Sequence, residues 1–408
     1  MRQGQVTLAA PRALLLTVLV LGLVTGCASL GLHQATPGAA TVQKATAEIP
    51  EAQLLDVWIA LFDPGELPKD EDDAMGLSLD IREAEARFMP MHLRNTLEKT
   101  GYWGAVRVVP RGTAGAEVLV EGTIKASNGE TLALEITASD STGREWFSGT
   151  YESEVSIEDY QGSAPQTAEV FQPLYNAIAN DLARYRMRWT PQDIRTIRRV
   201  AALRFAQDLA PDAFAGYLRV SDDGDYSIVR LPAQDDPMYQ RIQAIRERDF
   251  LLIDTLNGHF DNFSREMQTP YNEWRKARSE EAAALRSVKN EATTRKLLGV
   301  AAIAGAIALE ALTDGKGRQS TSTLRNVMVL GGAYAVKTGF DMDSETTIHR
   351  EAIEELGDSF ASETKPLVVD VEGEVHELTG SAEAQYSKWR ELLRRIYASE
   401  TGLTEGAD

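Results

Sequence analysis

The sequence predicts an α+β protein: a small α/β domain with helices on a mixed sheet, then a mainly helical domain carrying a long Gly/Ala-rich helical hairpin, and a closing β-hairpin and helix. Three observations carry this. Short apolar runs bounded by turn residues fill 51–155; from Asp236 apolar residues recur at three- and four-residue spacing; and two segments between 297 and 340 are almost wholly Gly, Ala and aliphatic. The chain has 408 residues, 43% hydrophobic and 25% charged, which is long enough for two or three domains. The predicted boundaries are 1–26 for a signal peptide, 27–50 for a flexible tether, 51–190 for the α/β domain, 191–366 for the helical domain and 367–408 for the terminal hairpin and helix.

Within the first domain, Leu54 to Phe62 (LLDVWIALF) reads as an apolar strand stopped by Asp63-Pro64-Gly65. Ile81 to Thr100 reads as a helix with Ala84, Phe88, Met91 and Leu97 on one stripe and Gly101 as its stop. Pro90 lies inside it, so a kink or break near Met89 is expected, because proline lacks the N–H that bonds four residues back. Strands are expected at 105–109, 117–124, 132–139 and 145–151, with Asn128-Gly129 and Ser141-Thr142-Gly143 as turns. Gln166 to Met187 follows as a helix with Phe171, Leu174, Ile178 and Leu182 on one face. Thr190 or Asp193 is placed to cap the next helix, towards Leu209. Tyr217–Val220 and Tyr226–Leu231 flank SDDGD as a hairpin.

In the second domain, Met238, Ile242, Ile245, Leu252, Leu256 and Phe263 mark an amphipathic helix. Gln268-Thr269-Pro270 is expected to end it, with a second long helix starting near Tyr271 and carrying Trp274, Leu285 and Val288. That helix runs into LLGVAAIAGAIAL at 297–309, and a partner segment NVMVLGGAYAV spans 326–336. Gly331, Ala335 and Gly339 fall at i, i+4, i+8, Ala301 and Gly305 repeat that spacing, and Gly299 and Gly332 add small residues beside them. Small residues so placed let helix backbones approach closely, so Gly299, Gly305, Gly331, Gly332, Ala335 and Gly339 are candidate packing or self-association positions. The apolar run is only 13 residues, short of the roughly 20 that a spanning helix needs. A buried hairpin in a soluble domain and an apolar tip entering a membrane or an oligomer both remain open. Leu367–Val371 and Glu374–Thr379 predict a hairpin. Ser381–Ser399 predicts a helix with Tyr386, Trp389, Leu393 and Ile396 inward.

The N-terminus has a different composition. Arg2 and Arg12 precede the apolar run from Ala13, which closes on Val24-Thr25-Gly26-Cys27: a basic region, a short apolar core and small residues at a cut site. Cys27 is the only cysteine. VTGC resembles the lipobox of bacterial lipoproteins, and the resemblance implies a thioether-linked diacylglycerol on Cys27 after cleavage. Ala28 and Ser29 follow where, in such lipoproteins, an aspartate retains the protein in the inner membrane; its absence implies the outer membrane. Residues 28–50 are rich in Ala, Thr and Gly and aperiodic, a tether with a typical reach of about 27 Å. With Cys27 acylated, no disulfide is possible.

LEKTGYWGAVRVVP, AEVLVEGTI and LALEITASDSTGREWFSGTYE together resemble the small α/β domains of envelope accessory lipoproteins: the curli-secretion family, the activators of peptidoglycan synthases and the auxiliaries of lipid transport. The resemblance covers about a quarter of the chain and implies no catalytic residue. The tail LVVDVEGEVHELTGSAEAQYSKWRELLRRI looks faintly like half of a BON domain, a module of envelope and lipid surfaces.

Reactive constellations are absent from the pattern. The five histidines (33, 92, 259, 349 and 376) form no H-x-x-x-H or H-E-x-x-H pair, so neither a metal nor a cofactor is expected. Asp70–Asp73 and Asp222–Asp225 lack the ligand spacing of a calcium loop. Gly315-Lys316-Gly317 lacks the phosphate-loop frame, and no G-x-S-x-G elbow is present. Formal charge is −19, and it becomes −21 when cleavage removes Arg2 and Arg12; so acidic a body is repelled by anionic lipid surfaces as a whole and excludes nucleic acid as a partner. The expectation is a non-enzymatic lipoprotein anchored through Cys27 on the periplasmic face of the outer membrane, binding or scaffolding an envelope protein or itself. The alternatives are a transport or secretion component acting through its Gly/Ala hairpin, and a hydrolase of envelope polymers, which needs carboxylates or a histidine brought together in a cleft.

Overall fold

The structure is a computed structural model, and it describes residues 32–34, 40–69, 77–161, 169–233, 235–310, 351–352, 354–355, 367–371 and 374–401. It is α+β. The elements in order are β1 (Leu32–Gln34), β2 (Val57–Ala60), α1 (Leu79–Glu98), β3 (Val106–Val109), β4 (Val118–Ser127), β5 (Thr131–Asp140) and β6 (Glu145–Glu154). Then come α2 (Ile157–Gln161), α3 (Gln172–Arg186), α4 (Pro191–Leu209), β7 (Leu218–Val220), β8 (Tyr226–Ile228), α5 (Pro237–Glu310), β9 (Leu367–Val371), β10 (Glu374–Leu378) and α6 (Ala382–Thr401). The main sheet has the order β1-β6-β5-β4-β2-β3. The three long strands β4, β5 and β6 are antiparallel neighbours, β2 and β3 add in parallel, and β1 adds in parallel to the outer edge of β6.

The expected stripes are buried: Ala84, Phe88, Met91 and Leu97 on α1, and Leu174, Ile178 and Leu182 on α3 with Phe171 at its N-cap. Thr190 caps α4 in a reciprocal capping box with Asp193, so the two candidates act together. The terminal hairpin and α6 form as expected, with Tyr386, Trp389, Leu393 and Ile396 buried.

Two expected breaks do not occur. Helix α1 runs unbroken through Pro90, because the carbonyl of Ala86, left without its helical donor, accepts the Phe62 N–H at 3.0 Å. Helix α5 runs unbroken through Pro270 and spans 74 residues, about 111 Å. The carbonyl that Pro270 orphans belongs to Glu266, an exposed residue, so it is not left in the dry core.

The span read as a tether also departs from expectation, since residues 32–34 pair with β6 as β1 and the C-terminal half docks on the body. The Asn176 and Asn180 side chains of α3 donate to the carbonyls of Ala40 and Thr41 at 2.8 and 3.0 Å. Asn180 also accepts from the Gln43 N–H at 2.7 Å, and the Ala45 N–H reaches Thr100 at 2.8 Å. Residues 40–45 therefore belong to the folded body.

Buried residues from Leu55 to Tyr397 form one contiguous apolar cluster, and α5 supplies Ile242, Ile245, Leu256, Phe260, Met267 and Trp274 to it. Along its first 50 residues α5 lies lengthwise on the sheet. Arg246 reaches the Gly115 carbonyl before the start of β4, Asn257 meets β3 at Val108, Tyr271 meets Ser127 at the end of β4, and Arg286 pairs with Glu130 beyond it. Residues 287–310 continue the helix for about another 36 Å. Among the described residues no helix is long and apolar enough to cross a membrane.

Candidate functional site

The predicted site residues fall mostly beyond this body. Cys27, Gly331, Gly332, Ala335 and Gly339 lie outside the described residues, and Gly299 and Gly305 lie on the helical backbone of the last part of α5. Two other regions hold the polar chemistry, one at each end of the β4–β6 strands.

At the β4–β5 turn the carboxylates and a histidine do come together, but inside the protein. Glu169 takes a bidentate pair from Arg275, at 2.8 and 3.0 Å, with both side chains at most 3% exposed. Arg275 also lies over the Tyr271 ring at 4.3 Å. Next to it, the Glu85 carboxylate accepts from Ser127 and from Tyr271, both at 2.6 Å, and stands 3.7 Å from Arg82. His92 reaches to 3.9 Å from Glu169.

Their titration follows from enclosure. Burial raises the Glu85 carboxyl above its ordinary range against the pull of Arg82. Burial lowers His92, so its imidazole is neutral at pH 7. Glu169 is equally buried, yet the Arg275 charge outweighs desolvation and holds it below the ordinary range. A carboxyl of raised proton affinity, a neutral imidazole and an ionised carboxylate within one cluster would suit acid–base work in a cleft. Here Glu85 and Glu169 are sealed beneath α5, and what the cluster does is fasten that helix to α1, β4 and the chain before α3. The signal was present in the sequence as Glu85 beside the apolar stripe of α1, and as Arg275 next to Trp274. Neither can be told from a solvated charge without the partner.

Two further polar contacts hold α5. Asn257 bonds both backbone groups of Val108, accepting from its N–H at 2.7 Å and donating to its carbonyl at 2.8 Å, which satisfies the otherwise open edge strand β3. Asp249, buried on α5, accepts from Trp389 Nε1 at 3.2 Å and from Arg390 at 3.3 Å, fixing α6.

At the β5–β6 turn the surface is open. The β7–β8 hairpin docks there through the Tyr226 N–H on the Thr142 carbonyl at 2.6 Å, and α4 docks through Ser141 Oγ on the Ile197 carbonyl at 2.5 Å. Between them runs a groove of about 660 Å³, lined by Arg144, Gln192, Thr196, Arg199, Ile228 and Leu231 among others. Arg144 stacks 3.9 Å over Trp189, and Arg204 lies 4.3 Å over Tyr226. Guanidinium, amide and hydroxyl donors beside aliphatic side chains can bind an anionic group with an apolar portion. Among the described residues, no group of three or more His, Cys, Asp or Glu side chains is placed to hold a metal ion.

Compared with protein-family models, curated proteins and solved structures, the chain matches none.

Proposed function

We propose that this chain is a non-enzymatic lipoprotein, anchored through Cys27 on the periplasmic face of the outer membrane, whose body holds a helical arm away from the anchor to scaffold an envelope protein or a second copy. The observation that carries this reading is the direction in which the two ends leave the sheet. Strand β1 runs parallel to β6, with Leu32 beside Thr150, so the chain enters from the side of the β5–β6 turn. Helix α5 leaves past Glu130, at the β4–β5 turn. Ten-residue strands separate those turns by about 33 Å, and the arm adds about 36 Å. A lipid at one end and an apolar LLGVAAIAGAIAL segment at the other fit a spacer, in which confinement at a membrane raises effective concentration for a partner held at arm's length.

Metabolic lipid labelling with membrane fractionation tests the anchor. Wild type is expected in the outer-membrane fraction with label, and Cys27→Ser in the soluble fraction without it. A Cys27→Ser protein that stays labelled and membrane-bound ends this reading.

The length of α5 also favours a second reading, a transport or secretion component that oligomerises or inserts through the arm. Cross-linking from residues 297–309 in intact cells distinguishes them. A strictly monomeric arm, fully open to protease, removes the second.

A further inference from the structure

Six large apolar side chains stand out as the most exposed among the described residues: Leu79, Met187, Val220, Val229, Leu231 and Leu251. Four of them, Met187, Val220, Val229 and Leu231, sit on the α3–α4 turn and the β7–β8 hairpin, at the same end of the sheet as the β5–β6 turn. The arginines gather there too. Arg188, Arg195, Arg199, Arg219 and Arg230 are exposed, and Arg144 and Arg204 are half-buried over aromatic rings. Against these seven stand six acids, Glu145, Asp193, Asp222, Asp223, Asp225 and the buried Asp140 that pairs with Arg144 at 3.3 Å, so this end carries a small positive excess on a chain of formal charge −19. Continuity is set by contact: Trp189 follows Met187 and Arg188 and stacks under Arg144, which shares the groove with Arg199 and Leu231. Arg195 and Arg199, four residues apart, lie along one face of α4.

A mixture of arginine, tryptophan and exposed aliphatics is the composition that sits at a membrane–water boundary. The chain's own path says which boundary. Cys27 precedes Leu32 by five residues, at most about 18 Å of backbone, and β1 points back along β6 towards Glu145.

We infer that this face, formed by the α3–α4 turn, the exposed side of α4 and the β7–β8 hairpin, docks on the anionic phospholipid headgroups of the membrane that holds Cys27. The inference rests on the lipid-anchor reading proposed above. Arg188, Arg195 and Arg199 contact phosphates, and Met187, Val229 and Leu231 enter the headgroup boundary. The face thereby converts a flexible attachment into a fixed orientation, with α5 directed away from the bilayer.

The single cysteine makes this directly testable. When Cys27 is lipidated, Val229→Cys gives the full chain one free thiol on the face, and Glu158→Cys gives one on exposed α2 at the opposite end of β6. The lipidated proteins are placed in vesicles of phosphatidylcholine alone, or with phosphatidylglycerol, and labelled with a membrane-impermeant maleimide. A docking equilibrium near ten slows Val229→Cys labelling roughly tenfold in the anionic vesicles only, and high salt reverses it. Glu158→Cys labels equally in both. Adding Arg188→Glu, Arg195→Glu and Arg199→Glu, all exposed and so compatible with the fold, restores fast labelling. Equal rates for the two thiols in anionic vesicles overturn the inference, as does equal protection of Val229→Cys in neutral vesicles, which points to an uncharged or protein partner. A second label per chain, on Cys27, overturns the anchor itself and removes the leash on which the face depends.

Discussion

At the β4–β5 turn, Gly129 adopts a φ of +92°, and a Cβ there would fall 2.5 Å from the Arg275 carbonyl of α5. At the β5–β6 turn, Gly143 adopts a φ of +88°, and a Cβ would fall 2.5 Å from the Gly224 carbonyl of the hairpin. The same device, a left-handed glycine under a crossing backbone, closes both ends of the same strands. What lies above each glycine differs. Over Gly129 the long helix arrives with Arg275, Tyr271 and Trp274, and the Arg275 charge is matched by buried Glu169. Over Gly143 a two-stranded hairpin arrives with its arginines and aliphatics facing outward. One end uses its buried charges to hold the fold together, and the other, beside the Asp140 pair with Arg144, keeps Arg188, Arg195, Arg199, Arg219 and Arg230 exposed. The comparison teaches that binding chemistry is to be sought where burial stops, since a carboxylate–histidine cluster sealed in the core has no access to a substrate.

The largest test of the sealed end is Arg275→Met. It leaves Glu169 buried and unpaired, which costs about 3–5 kcal/mol, read as a lowered urea midpoint. Arg275→Met together with Glu169→Gln is expected to recover most of that loss. A single variant as stable as wild type would show that the pair does not fasten α5.

pH sharpens the comparison at the next level. Burial pushes the Asp249 carboxyl up to about 6 from an ordinary 3.8. A raised folded-state value means the contribution is full below about pH 4 and is lost as pH rises through 6, a loss of about 3 kcal/mol across the window. Glu169, held below its ordinary range, acts in the opposite sense: its contribution is present above the unfolded value and lost as pH falls. Thermal unfolding of Asp249→Asn from pH 4 to 7 is therefore expected to lack the decline that Asp249 imposes on wild type. Parallel curves for the two proteins would contradict the assignment.

Asn257→Ala leaves both backbone groups of Val108 without protein partners and is expected to cost about 1–3 kcal/mol. Amide exchange at Val108 should quicken well beyond that at Val120 in the sheet interior, whereas uniform acceleration would mean global loosening instead. The smallest effect belongs to the open end. Arg188→Ala removes the stacking of exposed Arg188 at 4.1 Å over the Tyr185 ring, worth about 0.5–1 kcal/mol, and is expected barely to move the unfolding midpoint. A drop as large as that for Arg275 would erase the distinction between the two ends.

Much of the fold was legible because it is local. The stripes of α1 and α3, the Thr190–Asp193 cap, the SDDGD hairpin and the helix ending in Ile396 follow from periodicity and turn chemistry. The two prolines misled for one reason: the rule that proline breaks a helix assumes the orphaned carbonyl has no other donor. Phe62 supplies that donor to Ala86 from just beyond β2, 24 residues earlier, and no window of a few helical turns contains both. The docking of 40–45 was hidden in the same way, since its partners Thr100, Asn176 and Asn180 are distant and the segment itself has no periodic apolar pattern. Of the site, Arg184-Tyr185-Arg186-Met187-Arg188 reads in the sequence as a solvated face, with nothing to show that Leu231 and Arg144 complete one surface with Arg188.

The residues alone determined most of the elements, their amphipathic faces, the overall acidity and the apolar run that ends in Cys27, because each depends on neighbours within a turn or two. Only the tertiary structure decided that Glu85, His92, Glu169 and Arg275 meet in the dry interior, that Asn257 closes the β3 edge, and that the entering chain and the departing α5 lie at opposite ends of the strands. Those depend on pairing between residues far apart in the chain, up to 186 positions for Glu85 and Tyr271, where burial sets which groups favour the neutral form, which are paired and which face outward.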